Sequence, residues 1–174
     1  MSRRLVLIRH AKAQGEHPGG DHERELADRG VADAAALGGW LEDQDLLPDQ
    51  VVVSTAARAR TTLSAALTDG DDVEIWEDRR VYDGGVHGIA EAIRETPDEA
   101  SVLWVVGHEP TMSTLVWDLA DEDQLQEDLR DQLSRGFPTG TAAVLTLESA
   151  WGDLGSGTCR LVALQTGRGE RSAH

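Results

Sequence analysis

Along this chain, unbroken apolar runs alternate with stretches whose apolar positions recur at helical spacing. Leu5-Val6-Leu7-Ile8, Val51-Val52-Val53 and Val102-Leu103-Trp104-Val105-Val106 are continuous, the pattern of strands covered on both faces. Residues 142–147 and 160–164 also read as strands, and Val73-Glu74-Ile75-Trp76 is a weaker candidate. Helices are predicted over residues 28–42, with Asp28 as N-cap, and over 57–67, 89–95, 111–119 and 121–133. Pro97 closes the third of these. Such alternation predicts a three-layer α/β/α fold around a mainly parallel central sheet. No break in composition divides the chain, so one domain is expected over residues 1–165, with 166–174 as a flexible tail.

Composition narrows the function classes. The 174 residues carry 32 acidic and 16 basic side chains, a formal net charge of −16, which disfavours nucleic acid as a partner because phosphate backbones would be repelled. No apolar run approaches the roughly 20 residues of a membrane-spanning helix, and the N-terminal residues enter a strand-like run rather than a leader. The single cysteine, Cys159, rules out a disulfide within the chain and any cysteine-rich metal site. A cytoplasmic protein, monomeric or a small oligomer, is the expectation. Among the basic residues Lys12 is the only lysine; the rest are arginines.

The chemistry sits where the three buried runs stop. The first ends in Arg9-His10, the second runs on through Ser54 to Arg58 and Arg60, and the third ends in Gly107-His108. In open α/β sheets ligands bind beyond the carboxyl ends of the strands. Two histidines and two or three arginines could therefore meet as a cationic cup in an acidic protein. Arginine forks match phosphate oxygens and keep their charge at every physiological pH. A neutral imidazole is a competent nucleophile toward phosphorus, and arginine neighbours hold its pKa down. Helices starting after Arg58 and Pro110 would add backbone N–H groups. Arg60 is balanced between this cup and a solvated helix face.

Leu7-Ile8-Arg9-His10-Ala11 resembles the signature of the histidine phosphatase superfamily, usually Arg-His-Gly. The segments from Ser54 to Thr62 and from Val105 to Pro110 are similar to its second and third motifs. The resemblance is closest to the small phosphohistidine phosphatase (SixA-like) branch, with further matches from Asp21 through Arg24 and Leu26 to Gly30, and at Val81-Tyr82. It implies a phosphoglycerate mutase-like fold, His10 as a transiently phosphorylated nucleophile, Arg9 and Arg58 as clamps, and His108 completing the pocket. It also implies a reaction without metal or cofactor. Ala11 departs from the usual glycine, Glu25 stands where proline is common, and Thr55 stands where proline often follows the serine.

The family's proton donor has no plain counterpart. Asp83 is the first candidate, followed by Glu109 and His87, and a good leaving group would need none. His17 and His22 read as a solvated loop near the pocket mouth. The expected function is a phosphatase acting on protein phosphohistidine. A small-molecule phosphomonoesterase and a non-catalytic phosphate-binding regulatory module are the alternatives.

Overall fold

Successive residues of β1 (Arg3–Arg9) point to opposite faces of a sheet, and both faces are buried. Leu5 and Leu7 pack on one side with Leu103 and Val105, whereas Val6 and Ile8 pack on the other with Trp104 and Val106. That two-sided burial is why the runs are continuous rather than alternating. The computed structural model describes residues 2–170.

The remaining strands are β2 (Gln50–Val53), β3 (Glu74–Glu77), β4 (Val102–Gly107), β5 (Thr141–Leu147) and β6 (Cys159–Thr166), in the spatial order β3-β2-β4-β1-β5-β6. The first four strands in sequence are mutually parallel, and β5 and β6 join as antiparallel neighbours. One face is covered by α1 (Asp28–Asp43) and α2 (Ala57–Ala66), through Leu37, Leu41, Ala59 and Leu63. The other face is covered by α4 (Gly85–Arg94) and α5 (Thr111–Leu119), through Ile89, Ile93, Met112 and Leu115. This is the expected α/β/α sandwich, with an antiparallel extension at one edge. Among the described residues no helix is long and apolar enough to cross a membrane.

Local departures have local causes. Ala27, not Asp28, is the N-cap of α1; the Ala27 N–H donates to the Lys12 carbonyl at 2.9 Å, and that tertiary bond sets where the helix begins. A short helix, α3 (Arg80–Asp83), forms where the sequence reads as loop, because Asp78 Oδ1 accepts the Arg80 N–H at 2.9 Å. The α4 helix starts at Gly85 rather than at residue 89. The acidic helix expected over 121–133 is two pieces, a 3-10 turn at Glu122–Gln124 and α6 (Glu127–Ser134). Asp121 caps the turn through Asp123 N, and its own N–H is tied to Cys159 O at 2.7 Å, so the chain is anchored on the N-terminal side of the break.

The tail expected from residue 166 is tied down at its start. Thr166 belongs to β6. Gly167 N–H donates to Gly140 O, Arg168 Nη1 to Thr139 O, and Gly169 N–H to Oδ1 of the buried Asp33. These bonds hold the segment against α1 and the loop before β5. Residues 171–174 of that tail lie outside the described residues.

Candidate active site

The sheet brings the three motif-bearing strands β2, β4 and β1 side by side and parallel, so their carboxyl ends share one edge. Arg9 pairs with Gly107 in register. The next residue, His10, donates its backbone N–H to Gly107 O at 3.0 Å, and on its other side Gly140 N–H reaches the carbonyls of Arg9 and His10. The His10 backbone is thus clamped between the end of β4 and the turn that leads into β5. The space above Gly107 is filled: a Cβ there would stand 2.9 Å from Met112 Cε and 3.0 Å from Val81 Cγ1.

The His10 ring is oriented by a single bond. Its Nδ1 lies 2.7 Å from the Ala11 carbonyl oxygen, which can only accept, so Nδ1 carries the proton and Nε2 keeps its lone pair. Ala11 N–H donates to Thr62 Oγ1 at 3.0 Å, and that hydroxyl donates to the Arg58 carbonyl at 2.7 Å. The loop bearing His10 is therefore fastened to the first turns of α2, which carry Arg58. Thr62 sits in the second motif, but nothing in its spacing announced this link.

Arg9, His10, Arg58 and His108 line one cleft of about 280 Å³, together with Lys12, Arg24 and Glu109. The rings of His10 and His108 are neighbours, with centroids 5.2 Å apart. Burial, opposed by the Ala11 carbonyl and reinforced by Arg58, Arg9 and Arg24, lowers the pKa of His10 to about 4. Burial and then the nearby His10 and Arg58 lower that of His108 to about 3. Both rings are neutral near pH 7. Arg9 donates from Nη1 to Phe137 O at 2.9 Å, and burial lowers its pKa. Two buried polar atoms of the cleft residues, Arg9 Nε and His108 Nδ1, have no partner among the described residues. Such atoms are costly unless a ligand meets them.

Sequence reasoning missed the rim. Asp21 accepts from Arg58 Nη1 with its carbonyl at 2.7 Å and from Arg58 Nη2 with Oδ2 at 3.0 Å. The same carboxylate takes Tyr82 OH at 2.8 Å and Arg24 Nη1 at 3.0 Å. The Tyr82 hydrogen bond, ahead of those from the arginines, keeps Asp21 well below the usual carboxylate range, and Asp21 in turn raises the Tyr82 pKa. His22 is part of this rim rather than solvated loop: Nε2 lies 2.8 Å from Thr55 Oγ1, and the ring meets Tyr82 edge-on at 4.8 Å. His17 lies apart, in a neighbouring hollow with Glu16 and Asp21. Among the described residues no group of three or more His, Cys, Asp or Glu is placed to hold a metal ion.

The three proton-donor candidates are not brought together here. Asp83 pairs with Arg79 at 2.9 Å on the exposed side of α3, and His87 faces Glu91 on the surface of α4. Glu109 does line the cleft, but its two oxygens accept from Ser113 N–H and Ser113 Oγ, each at 2.7 Å. Arg60 is exposed and pairs with Glu77 at 3.6 Å. Both residues border a larger hollow of about 420 Å³ between α2 and β3, lined also by Leu63, Leu67 and Ile75. Its lining holds no histidine and no nucleophile in a reactive setting, so chemistry rather than size marks the site.

The model of the histidine phosphatase superfamily (branch 1) matches residues 5–104. The chain belongs to that superfamily. Uncharacterized protein Rv1276c of Mycobacterium tuberculosis is 36% identical over 161 residues, spanning 92% of this chain and 100% of its own. Among solved structures, a protein assigned as the phosphohistidine phosphatase SixA of Nakamurella multipartitia superposes with a TM-score of 0.84 at 38% identity, covering 96% of this chain and 97% of that one. A second, assigned as SixA of Agrobacterium tumefaciens, gives 0.75 at 30% identity over 94% and 97%. This member of the histidine phosphatase superfamily has its phosphoglycerate mutase-like fold, and its activity class is that of a phosphatase.

Proposed function

We propose that the protein hydrolyses phosphohistidine on another protein, in two steps through a phosphoryl group carried on His10. The observation that supports this reading is one cleft holding a histidine with a free Nε2, a second neutral histidine and two arginines. In the first step the Nε2 lone pair attacks phosphorus, and the bond from phosphorus to the leaving atom breaks with its electron pair going to that atom. In the second, water attacks phosphorus and the bond to Nε2 breaks, returning the pair to the ring. One water is consumed; a proton ends on the leaving group and hydroxide on phosphorus, as inorganic phosphate. Arg9 and Arg58 bind the phosphoryl oxygens, and His108 donates to them as charge builds.

The state of the candidate proton donors supports this substrate class. Asp83 and Glu109 are engaged by Arg79 and Ser113, and His87 lies on the outer surface of α4. An alkoxide leaving group needs a positioned acid, whereas a phosphohistidine ring can take a proton from water on its other nitrogen, imidazole titrating near about 6.5, and then leaves as neutral imidazole. Likeness to the two proteins assigned as SixA supports the same class. Comparing kcat/KM on a phosphohistidine peptide with a panel of sugar phosphates tests the reading. A higher value on the peptide is expected; turnover confined to sugar phosphates rejects it, and binding without turnover of either points to a phosphate-binding module.

A further inference from the structure

The ends of β2 and β4 hold a serine against the second histidine. Val53 of β2 pairs with Val106 of β4, and Ser54 N–H donates to Val106 O at 3.0 Å. The serine one step beyond β2 thereby meets the histidine two steps beyond Val106. Ser54 Oγ and His108 Nε2 are 2.8 Å apart, and Ser54 is fully buried.

Counting donors and acceptors decides which atom carries the hydrogen between them. Ala56 N–H already donates to Ser54 Oγ at 3.2 Å. If Nε2–H donated to it as well, the hydroxyl proton would be buried without an acceptor among the described residues. The bare Nδ1 lone pair would then be the only thing His108 offers a phosphoryl oxygen, which repels it. If the hydroxyl donates to Nε2 instead, the Ala56 N–H, the hydroxyl and Nε2 are all satisfied. Nδ1, which has no partner in the protein, then carries the ring's one proton.

We propose that Ser54 is a positioning residue that fixes His108 as the neutral Nδ1–H tautomer, so that the ring presents an N–H donor to the phosphoryl group. The second half of this inference rests on the functional reading above; the first half rests on the hydrogen bonds alone. Because the ring is neutral, the tautomer rather than the charge decides what His108 can do, and the bond at one nitrogen sets the state of the other.

The test is NMR of the full chain at pH 7 with ring nitrogen-15-labelled histidine, the His108 signals being assigned by their loss in His108→Asn. The expected spectrum has Nδ1 protonated and Nε2 unprotonated. Ser54→Ala should move protonation toward Nε2 and lower kcat by about ten- to a hundredfold, less than deletion of a transition-state donor, with little change in KM. A parent spectrum with Nε2 protonated, or a Ser54→Ala spectrum identical to the parent's, overturns the proposal. The spectra need no substrate. A protein that hydrolyses nothing yet has the Nδ1–H signature would end the phosphatase reading and leave the tautomer assignment standing.

Discussion

The rings of His10 and His108 stand 5.2 Å apart, tilted 56° to each other. Their closeness follows from register: Arg9 and Gly107 are paired on neighbouring parallel strands, and each histidine is the next residue along. Tyr82 closes the group edge-on to His108 at 5.6 Å. One sheet edge thus assembles groups that the chain keeps far apart.

Arg58 is 6% exposed, and Asp21 holds two of its guanidinium nitrogens. Arg58→Lys keeps the charge but cannot span both Asp21 acceptors and a phosphoryl oxygen. The expected loss is about 2–5 kcal/mol of transition-state stabilisation, read from kcat/KM. A loss of less than threefold would place Arg58 outside the reaction.

Acid should silence the enzyme only at low pH. In the proposed mechanism the neutral His10 ring is the reacting form, and burial, with Arg58, Arg9 and Arg24 acting in the same direction, brings its pKa to about 4. The unfolded chain titrates near 6.5, so between these values it binds more protons than the folded one. Stability conferred by the neutral ring is therefore complete above about pH 6.5 and is lost as pH falls toward about 4. An NMR titration of the His10 ring checks both statements; a midpoint near 6.5 contradicts them.

Asp83 and Glu109 should separate cleanly. Asp83→Ala, which removes only an exposed pair with Arg79, is expected to leave kcat/KM within about twofold, as for surface changes away from a site. Glu109→Ala removes the acceptors of Ser113 N–H and Oγ at the start of α5. It should cost about 1 kcal/mol of stability, as loss of a helix cap does, seen in the denaturant midpoint. A large fall in kcat for Asp83→Ala would make it the proton donor after all.

What could be read from the chain was what local pattern encodes. The continuous runs in β1, β2 and β4 announced a doubly covered sheet, and the residues at and just past their ends pick out Arg9, His10, Arg58 and His108, which line one cleft. Asp21 stands out in the sequence only as part of a motif, because its bonds to Arg58 and Tyr82 span loops whose closure no local pattern records. The break between Asp121 and α6 was hidden for a similar reason. Apolar spacing runs through it unchanged, and the bond from Asp121 N–H to Cys159 O that holds the chain there is tertiary. The start of α1 and the seating of residues 167–169 on Asp33 and Gly140 likewise depend on distant partners. Ser54 and Thr62 lay in view within the second motif, but their roles are hydrogen-bond roles that residue type alone leaves open.

The proposed reaction phosphorylates His10 Nε2 in every turnover, and trapping that species decides it. The protein, mixed with a phosphorylated substrate and quenched in alkali within one turnover, should carry one phosphoryl group that mass spectrometry of its peptides places on His10. The label should be stable in base and lost in acid, and absent from His10→Ala, which should also fail to turn over. Label on any other residue, or hydrolysis by His10→Ala at the parent's rate, would contradict the account.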